Sequence, residues 1–107
     1  MNAQILLIGN DQVIEVLGVQ DVIDEEYVND AVVQIRITTA DGTEVSGENW
    51  PVTLDNVPAS DGDYRGIIED AVQLSPNVPY TIEVTATATN DRVGYWKFIV
   101  YARYRTP

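Results

Sequence analysis

Residues 74–89 read LSPNVPYTIEVTATAT, a proline-rich turn followed by a strict alternation of side chains. From Tyr80 onward, apolar residues alternate with threonine and glutamate. Alternation with a period of two is typical of a half-buried β-strand, because successive side chains point to opposite faces. The stretch predicts a strand over residues 80–89 with an apolar face in the core and a threonine-rich face in solvent.

The turn before this strand predicts a tyrosine corner, in which a chain crosses between two layers of a sandwich. Such a crossing leaves backbone groups unpaired, and a tyrosine hydroxyl can bond to one of them just upstream. Here Leu74 would pack inward and Tyr80 would supply the hydroxyl. An ordinary proline-rich turn before a strand that starts with an aromatic residue is the alternative.

Six further segments show the same alternation, and Gly, Pro, Asn and Asp clusters separate them. The predicted strands cover residues 3–8, 12–22, 31–39, 43–54, 62–74, 80–89 and 94–105. Gly18 is expected to be a bulge or a point of close packing. Gly47 and Pro51 are expected to interrupt the fourth strand, and Ala40-Asp41-Gly42 to form a hairpin turn.

Short half-buried strands spaced by about 10 residues are typical of a β-sandwich. We therefore predict an all-β fold, an antiparallel immunoglobulin-like or fibronectin type III-like β-sandwich of about seven strands. The 107 residues are enough for one domain, residues 1–107, with its own hydrophobic core.

The composition argues against most kinds of enzyme. The chain has no cysteine and no histidine, which removes thiolate nucleophiles, most zinc sites and the commonest general base near neutral pH. We expect no catalytic residue, no cofactor and no bound metal. The net charge of -11 argues against partners that are nucleic acids or anionic membranes. The apolar run at residues 5–8 is too short for a membrane span, and without a basic leader it does not resemble a signal peptide.

Acidic residues cluster in three predicted loops that a sandwich of this strand order would bring to one end. Converging carboxylates could bind Ca²⁺ there. A solvated acidic rim is the alternative that we favour, since no calcium-loop spacing is present. The residues are Asp24, Glu25, Glu26, Asp30, Asp55, Asp61, Asp63 and Asp91.

Basic and aromatic residues are concentrated on the last predicted strand, which would end opposite the acidic loops and make the molecule electrically bipolar. Tyrosine and arginine are common anchors of protein interfaces, although outward strand positions also carry them for β propensity and solubility. The candidate interaction residues on this strand are Tyr95, Lys97, Tyr101, Arg103, Tyr104 and Arg105.

The two tryptophans receive different interpretations. Trp96 alternates with Phe98 and Val100, so we predict that it lies in the core. Trp50 precedes a proline in an irregular segment. It is a candidate contact for a partner or a sugar ring, or else a cap on one edge of the core, which we favour.

Several segments together resemble small immunoglobulin-like proteins of tailed bacteriophages and prophages. They are YVNDA at 27–31, ADGTEV at 40–45, DGDYRG at 61–66, the corner at 74–80, and the ending from GYWK at 94–97 to Arg105. The resemblance covers most of the chain.

The resemblance implies a non-enzymatic structural or assembly protein of the virion, in the head, neck or tail or as a decoration. It would be made in the cytoplasm of the host bacterium. Its partners would be other virion proteins or further copies of itself, as in an oligomer within an assembly. A carbohydrate- or cell-surface-binding sandwich module, with Trp50 and the tyrosines of the last strand as stacking surfaces, is the alternative.

Overall fold

Alternating apolar residues form seven strands in the part of the chain that the computed structural model describes, residues 6–21, 23 and 25–105. This part contains no helix, which confirms the all-β prediction. The strands are β1 Leu6–Leu7, β2 Gln12–Val16, β3 Val32–Thr39, β4 Val52–Asn56, β5 Tyr64–Ile68, β6 Pro79–Thr87 and β7 Val93–Arg103.

The strands join in one continuous sheet in the order β1-β7-β6-β3-β4-β5-β2. The strand β4 pairs with β3 through its first three residues, Val52 to Leu54. Its last two residues, Asp55 and Asn56, pair instead with β5. One strand therefore leaves the layer that contains β3 and enters the layer that contains β5, which gives a sandwich-like fold with a nearly barrel-shaped sheet.

All neighbouring strands are antiparallel except β1 and β7, which are parallel. This one pair departs from the antiparallel arrangement that the sequence predicts for the sandwich. The side chain of Gln12, in β2, bonds to both backbone groups of Leu7, in β1. Because β1 and β2 lie at the two ends of the strand order, this side chain links the two edges of the sheet.

The core lies between the two layers. Buried apolar side chains come from β3 and β6 on one side and from β2 and β5 on the other, as the alternation predicted for β3 and β6. They include Val33, Ile35, Ile37, Ile82, Val84 and Ala86 in the first layer and Ile14, Val16, Tyr64 and Ile68 in the second.

Several predicted strands are longer than the observed ones. The predicted strand 12–22 ends at Val16, so Gly18 lies beyond the ladder, and a Cβ there would meet nothing closer than the Tyr27 ring at 3.9 Å. The prediction that Gly18 is a point of close packing is therefore wrong. The predicted strand 43–54 is reduced to an isolated bridge at Glu44 and to β4. The predicted strand 62–74 ends at Ile68. Residues 3–5 and 22 of the predicted strands lie outside the described residues.

The bond that a tyrosine corner requires is present before β6. Tyr80 is buried, and its hydroxyl accepts a hydrogen bond from the backbone N–H of Ser75 at 2.7 Å. Leu74 packs against the core from a partly buried position. The backbone group that the crossing would leave unpaired is thus satisfied by a side chain.

Trp96 is not in the core. Its side chain is 36% exposed, whereas Val100 and Ala102, two and three positions further along the same face of β7, are buried. Alternation assigns Trp96 to the correct face of the strand, but the opposite layer does not extend far enough to cover it. The prediction of a core tryptophan here is wrong.

Candidate functional site

Five exposed side chains follow one another along the outward face of β7. They are Tyr95, Lys97, Ile99, Tyr101 and Arg103, which we call the basic row. The period of two places every second residue of β7 on this face. The row contains four of the predicted interaction residues and adds Ile99, which is 66% exposed. Tyr104 and Arg105 are also exposed and directly follow β7.

The cations of the basic row form no close ion pair with a described residue, although Lys97 lies opposite Glu83 in the β6–β7 ladder and its charge helps to lower the pKa of Glu83. Lys97 and Arg103 make no ion pair within 4.0 Å with a described carboxylate, and neither does Arg105. The other three basic residues are all paired: Arg36 with Glu44 and Glu83, Arg65 with Glu15, and Arg92 with Asp21. The positive charge available for a partner therefore lies on Lys97 and Arg103 of the row and on Arg105, which follows it.

A bonded network orients the first residue of the row. Glu83, on β6, accepts a hydrogen bond from the Tyr95 hydroxyl and another from Arg36 Nε, the second at 2.5 Å. These two partners, the tyrosine first, hold the pKa of Glu83 below its usual value. A groove of about 270 Å³ lies beside the network, lined in part by Gln34, Arg36, Glu83 and Tyr95.

A second surface forms at the end of the sandwich where residues 17–21 and 25–31 meet residues 57–63 and 88–92. A groove of about 130 Å³ is lined there by Asp21, Glu26, Tyr27, Asp30 and Asn90, among others; we call these five residues the acidic groove. Tyr27 is 49% exposed, and the neighbouring Ile23 is 70% exposed. The groove therefore combines carboxylates with accessible apolar surface.

Asp21 holds two of these loops together. Its Oδ1 accepts a hydrogen bond from the N–H of Ile23 at 2.8 Å, and its Oδ2 lies 2.7 Å from Nη1 of Arg92. Its side chain is only 6% exposed. The bond from Ile23 and then the bond from Arg92 lower the pKa of Asp21 to about 2. These bonds favour the ionised form, so the charge helps to fix the loop.

Protonating Asp21 is expected to destabilise the protein in acid. Because its pKa is lower in the folded chain, about 2 against 3.8, its contribution is complete above pH 3.8 and is lost as the pH falls through about 2. Urea midpoints measured across this window should fall in the wild type more than in Asp21→Asn. The control Asp55→Asn, at an exposed position, should behave like the wild type. If the urea midpoints of the wild type and of Asp21→Asn fall in parallel with pH, the Asp21 carboxylate does not stabilise the fold.

Tyr64 anchors the loop that carries the acidic groove, and the sequence analysis did not identify it. Its ring is buried, and its hydroxyl donates to the carbonyl of Val28 at 2.6 Å and accepts from the N–H of Ala31 at 3.1 Å. Desolvation raises the pKa of this phenol. The only sequence signal was an aromatic residue at a strand start directly after a turn.

We expect Tyr64→Phe to lower the free energy of unfolding by about 2 kcal/mol and Tyr80→Phe by about 1 kcal/mol. The first change leaves two backbone groups without a partner, Val28 O and Ala31 N, whereas the second leaves one, Ser75 N. Urea denaturation of both variants measures the difference. Tyr101→Phe, at an exposed position, is the matched control and should change little. Equal stability of all three variants would show that neither hydroxyl anchors the fold.

Trp50 lies where the favoured interpretation placed it, whereas Trp96 does not. Trp50 is half-buried against the core, and its Nε1 donates to the carbonyl of Val45 at 2.7 Å, so it caps a core edge. Trp96 lines an apolar cavity of about 80 Å³ beside the acidic groove, together with Val19, Val28 and Ala86. Its ring lies against Gly94, where a Cβ would come within 3.0 Å of Cη2.

The acidic loops brace one another. Asp63 Oδ1 accepts from the N–H of Gly18, and Asn29 Oδ1 from the N–H of Gly62.

In the described residues, the one set of three carboxylates close enough to share an ion is Asp11, Glu69 and Asp70, all exposed. These lie at the opposite end, after β1 and β5. The predicted bipolar charge is therefore wrong in part, because acidic residues accompany Arg103 at that end.

The described part of the chain contains no apolar helix of membrane-spanning length. Comparison with protein-family models, with curated proteins and with solved structures finds no match for this chain. The two surfaces, the basic row and the acidic groove, are the features from which a function can be argued.

Proposed function

We propose that this chain is a non-enzymatic structural protein of a bacteriophage virion that acts through protein–protein contacts. The observation that carries the contact role is the basic row, an exposed strip of two tyrosines, an isoleucine, a lysine and an arginine on a chain of net charge -11. The phage setting rests on the resemblance of the sequence segments described above.

The composition of the basic row suits a protein interface. Tyrosine and arginine supply a large share of binding energy at interfaces, and an aliphatic residue at the centre of a contact excludes water. Ile99 occupies the middle of the row, with Lys97 and Tyr101 on either side. Neither Lys97 nor Arg103 forms a close ion pair with a described carboxylate, and an acidic surface on another protein would supply one.

An immunoglobulin-like form of the sandwich is part of this proposal. In such domains the second and fifth strands pair in one sheet, and the third, sixth and seventh pair in the other. Here β2 pairs with β5, and β6 lies between β3 and β7. The Tyr80 bond to Ser75 supports the same assignment. The departure is β4, which pairs with both layers.

Mass spectrometry of virions purified from the bacterial strain that encodes the chain tests the proposal. We expect the chain to be present at a fixed ratio to the other virion proteins. The double variant Lys97→Glu/Arg103→Glu should be incorporated at a much lower ratio, because it reverses both cations of the row. Glu69→Lys/Asp70→Lys, at exposed sites off the row, is the control. Absence of the wild-type chain from virions would refute the proposal.

A carbohydrate- or cell-surface-binding module is the alternative. Trp50 packs against the core, so it is a poor candidate for the binding surface of such a module. The polar groove beside Tyr95 is a better candidate. Arginine, glutamine and glutamate side chains around an aromatic ring can bond to hydroxyl groups. A glycan array distinguishes the two proposed functions. Glycan binding that is lost in Tyr95→Ala but kept in Trp50→Ala would favour the carbohydrate-binding module. Binding to no glycan of the array would count against it.

A further inference from the structure

We infer that the partner of the basic row is a second copy of this chain, which presents its acidic groove. The contact would be head-to-side, with the loop end of one protomer placed on the outward face of β7 of the next. This inference rests on the proposed function, because it names the partner for the surface proposed there.

The two surfaces are complementary in charge and in apolar character. The basic row offers Lys97 and Arg103 on either side of Ile99 and Tyr101, all exposed. The acidic groove offers Glu26 and Asp30 around Tyr27, with Ile23 exposed beside it. A partner's lysine or arginine would meet carboxylates in the groove, and its isoleucine would meet Ile23 or Tyr27. Opposite charges at a contact speed association and select the partner.

The two surfaces lie at different places on one protomer, so both can be used at once. The groove is built by Asp21, residues 26–28, Asp30 and residues 88–90, at the end of the sandwich where β7 begins. The row runs away from that end, over the eight residue steps from Tyr95 to Arg103, which span about 27 Å at the rise of a β-strand. A contact between different surfaces is heterologous and generates a ring or a filament.

Symmetric contacts are disfavoured by the same charges. Two basic rows facing each other would place Lys97 and Arg103 against like charges, and two acidic grooves would do the same with carboxylates. Like charges brought together at an interface cost several kcal/mol. Of the three ways in which these two surfaces can be paired, the row against the groove is the one that matches opposite charges.

Light scattering and sedimentation of purified protein test the inference with three variants. A row variant carries Lys97→Glu and Arg103→Glu, a groove variant carries Glu26→Lys and Asp30→Lys, and a swap variant carries all four changes. Each substitution shifts the charge by two units, so the swap variant keeps the wild-type net charge of -11. Glu69→Lys/Asp70→Lys matches the groove variant in charge at the opposite end.

We expect the wild type and the Glu69→Lys/Asp70→Lys control to self-associate with rising concentration. The row and groove variants should each associate at least about 100-fold more weakly, because like charges then face each other. A mixture of the two is the decisive sample. The row variant keeps its acidic groove and the groove variant keeps its basic row, so the wild-type contact can form between them. The reversed contact, an acidic row against a basic groove, can form between them as well. The mixture should therefore co-assemble in alternation although each variant alone does not, and the swap variant, which relies on the reversed contact, should associate again.

Three results would overturn the inference: a wild type that stays monomeric at about 1 mM, a mixture that does not co-assemble although both variants give the far-ultraviolet spectrum of the wild type, or a swap variant that stays monomeric. The proposed function has a separate readout. A monomeric chain that is nevertheless found in virions would refute self-contact and leave the virion role standing, whereas a self-associating chain absent from virions would refute the role.

Discussion

Replacing Gly47 by alanine is expected to lower the free energy of unfolding by about 4 kcal/mol or more, a large part of the roughly 5–15 kcal/mol that stabilises a typical domain. Gly47 has a φ of 99°, and a Cβ built on it would lie 2.0 Å from the carbonyl oxygen of Ala71. The three nearest atoms, Ala71 O, Ala71 C and Val72 Cα, are all backbone atoms of a segment that is held in place, since Gln73 N donates to Ser46 O at 2.8 Å and Val72 is buried. Backbone strain and overpacking each cost about 1–3 kcal/mol.

The matched control is Gly42→Ala in the hairpin turn after β3. Gly42 has a similar φ of 89°, but a Cβ there would meet no atom within 4 Å. This variant carries the strain without the clash, so its loss should be about 1–2 kcal/mol. Urea denaturation of both variants separates the two causes. Equal losses would show that the contact between residues 47 and 71 is not required by the fold.

The segment around Gly47 shows a limit of prediction from sequence. The alternation over residues 80–89 and 31–39 predicted β6 and β3 closely, because each strand is buried on one face along its whole length. The segment 43–54 also alternates in places, yet it forms little of a strand. Its path depends on the contact of Gly47 with Ala71, which lies far away in the sequence, and local pattern carries no information about such a contact.

The candidate surfaces were predicted unequally for a related reason. Alternation is enough to place Tyr95, Lys97 and Tyr101 on one face, so the basic row was accessible from sequence. The acidic groove needs the fold, since it forms where Asp21 meets Arg92 and where Tyr64 holds residues 28–31. The sequence predicted that acidic loops would gather, and it left their shape and their bonds open.

Trp96 illustrates a limit of alternation that applies to any sandwich. A period of two states which face of a strand a residue occupies, but not whether the opposite layer reaches that far. At Val100 the opposite layer is present and the side chain is buried, whereas at Trp96 the ring lies over a small cavity and is partly exposed. Residues near the ends of long strands are therefore the ones for which a core assignment is least secure.

The second large effect is expected from Ile82→Ala, at about 3–4 kcal/mol. Ile82 is fully buried on β6, and its register partner across each neighbouring strand, Ile37 and Phe98, packs on the same side. Removing three methylene-sized groups leaves a cavity that a β-sheet cannot close by a small shift, because ladder bonds hold both neighbours. Thermal and urea unfolding followed by circular dichroism measure the loss.

Ile99→Ala is the matched control, because it removes the same atoms one strand away from a side chain that is 66% exposed. It should change the free energy of unfolding by less than about 0.5 kcal/mol. If the inferred head-to-side contact forms, the same variant should weaken self-association while the fold stays intact. Such a result would show that Ile99 acts in assembly and not in folding, as expected for a residue on the outward face of β7. A large loss of stability in Ile99→Ala, or a small one in Ile82→Ala, would mean that the two faces of these strands have been assigned the wrong way round.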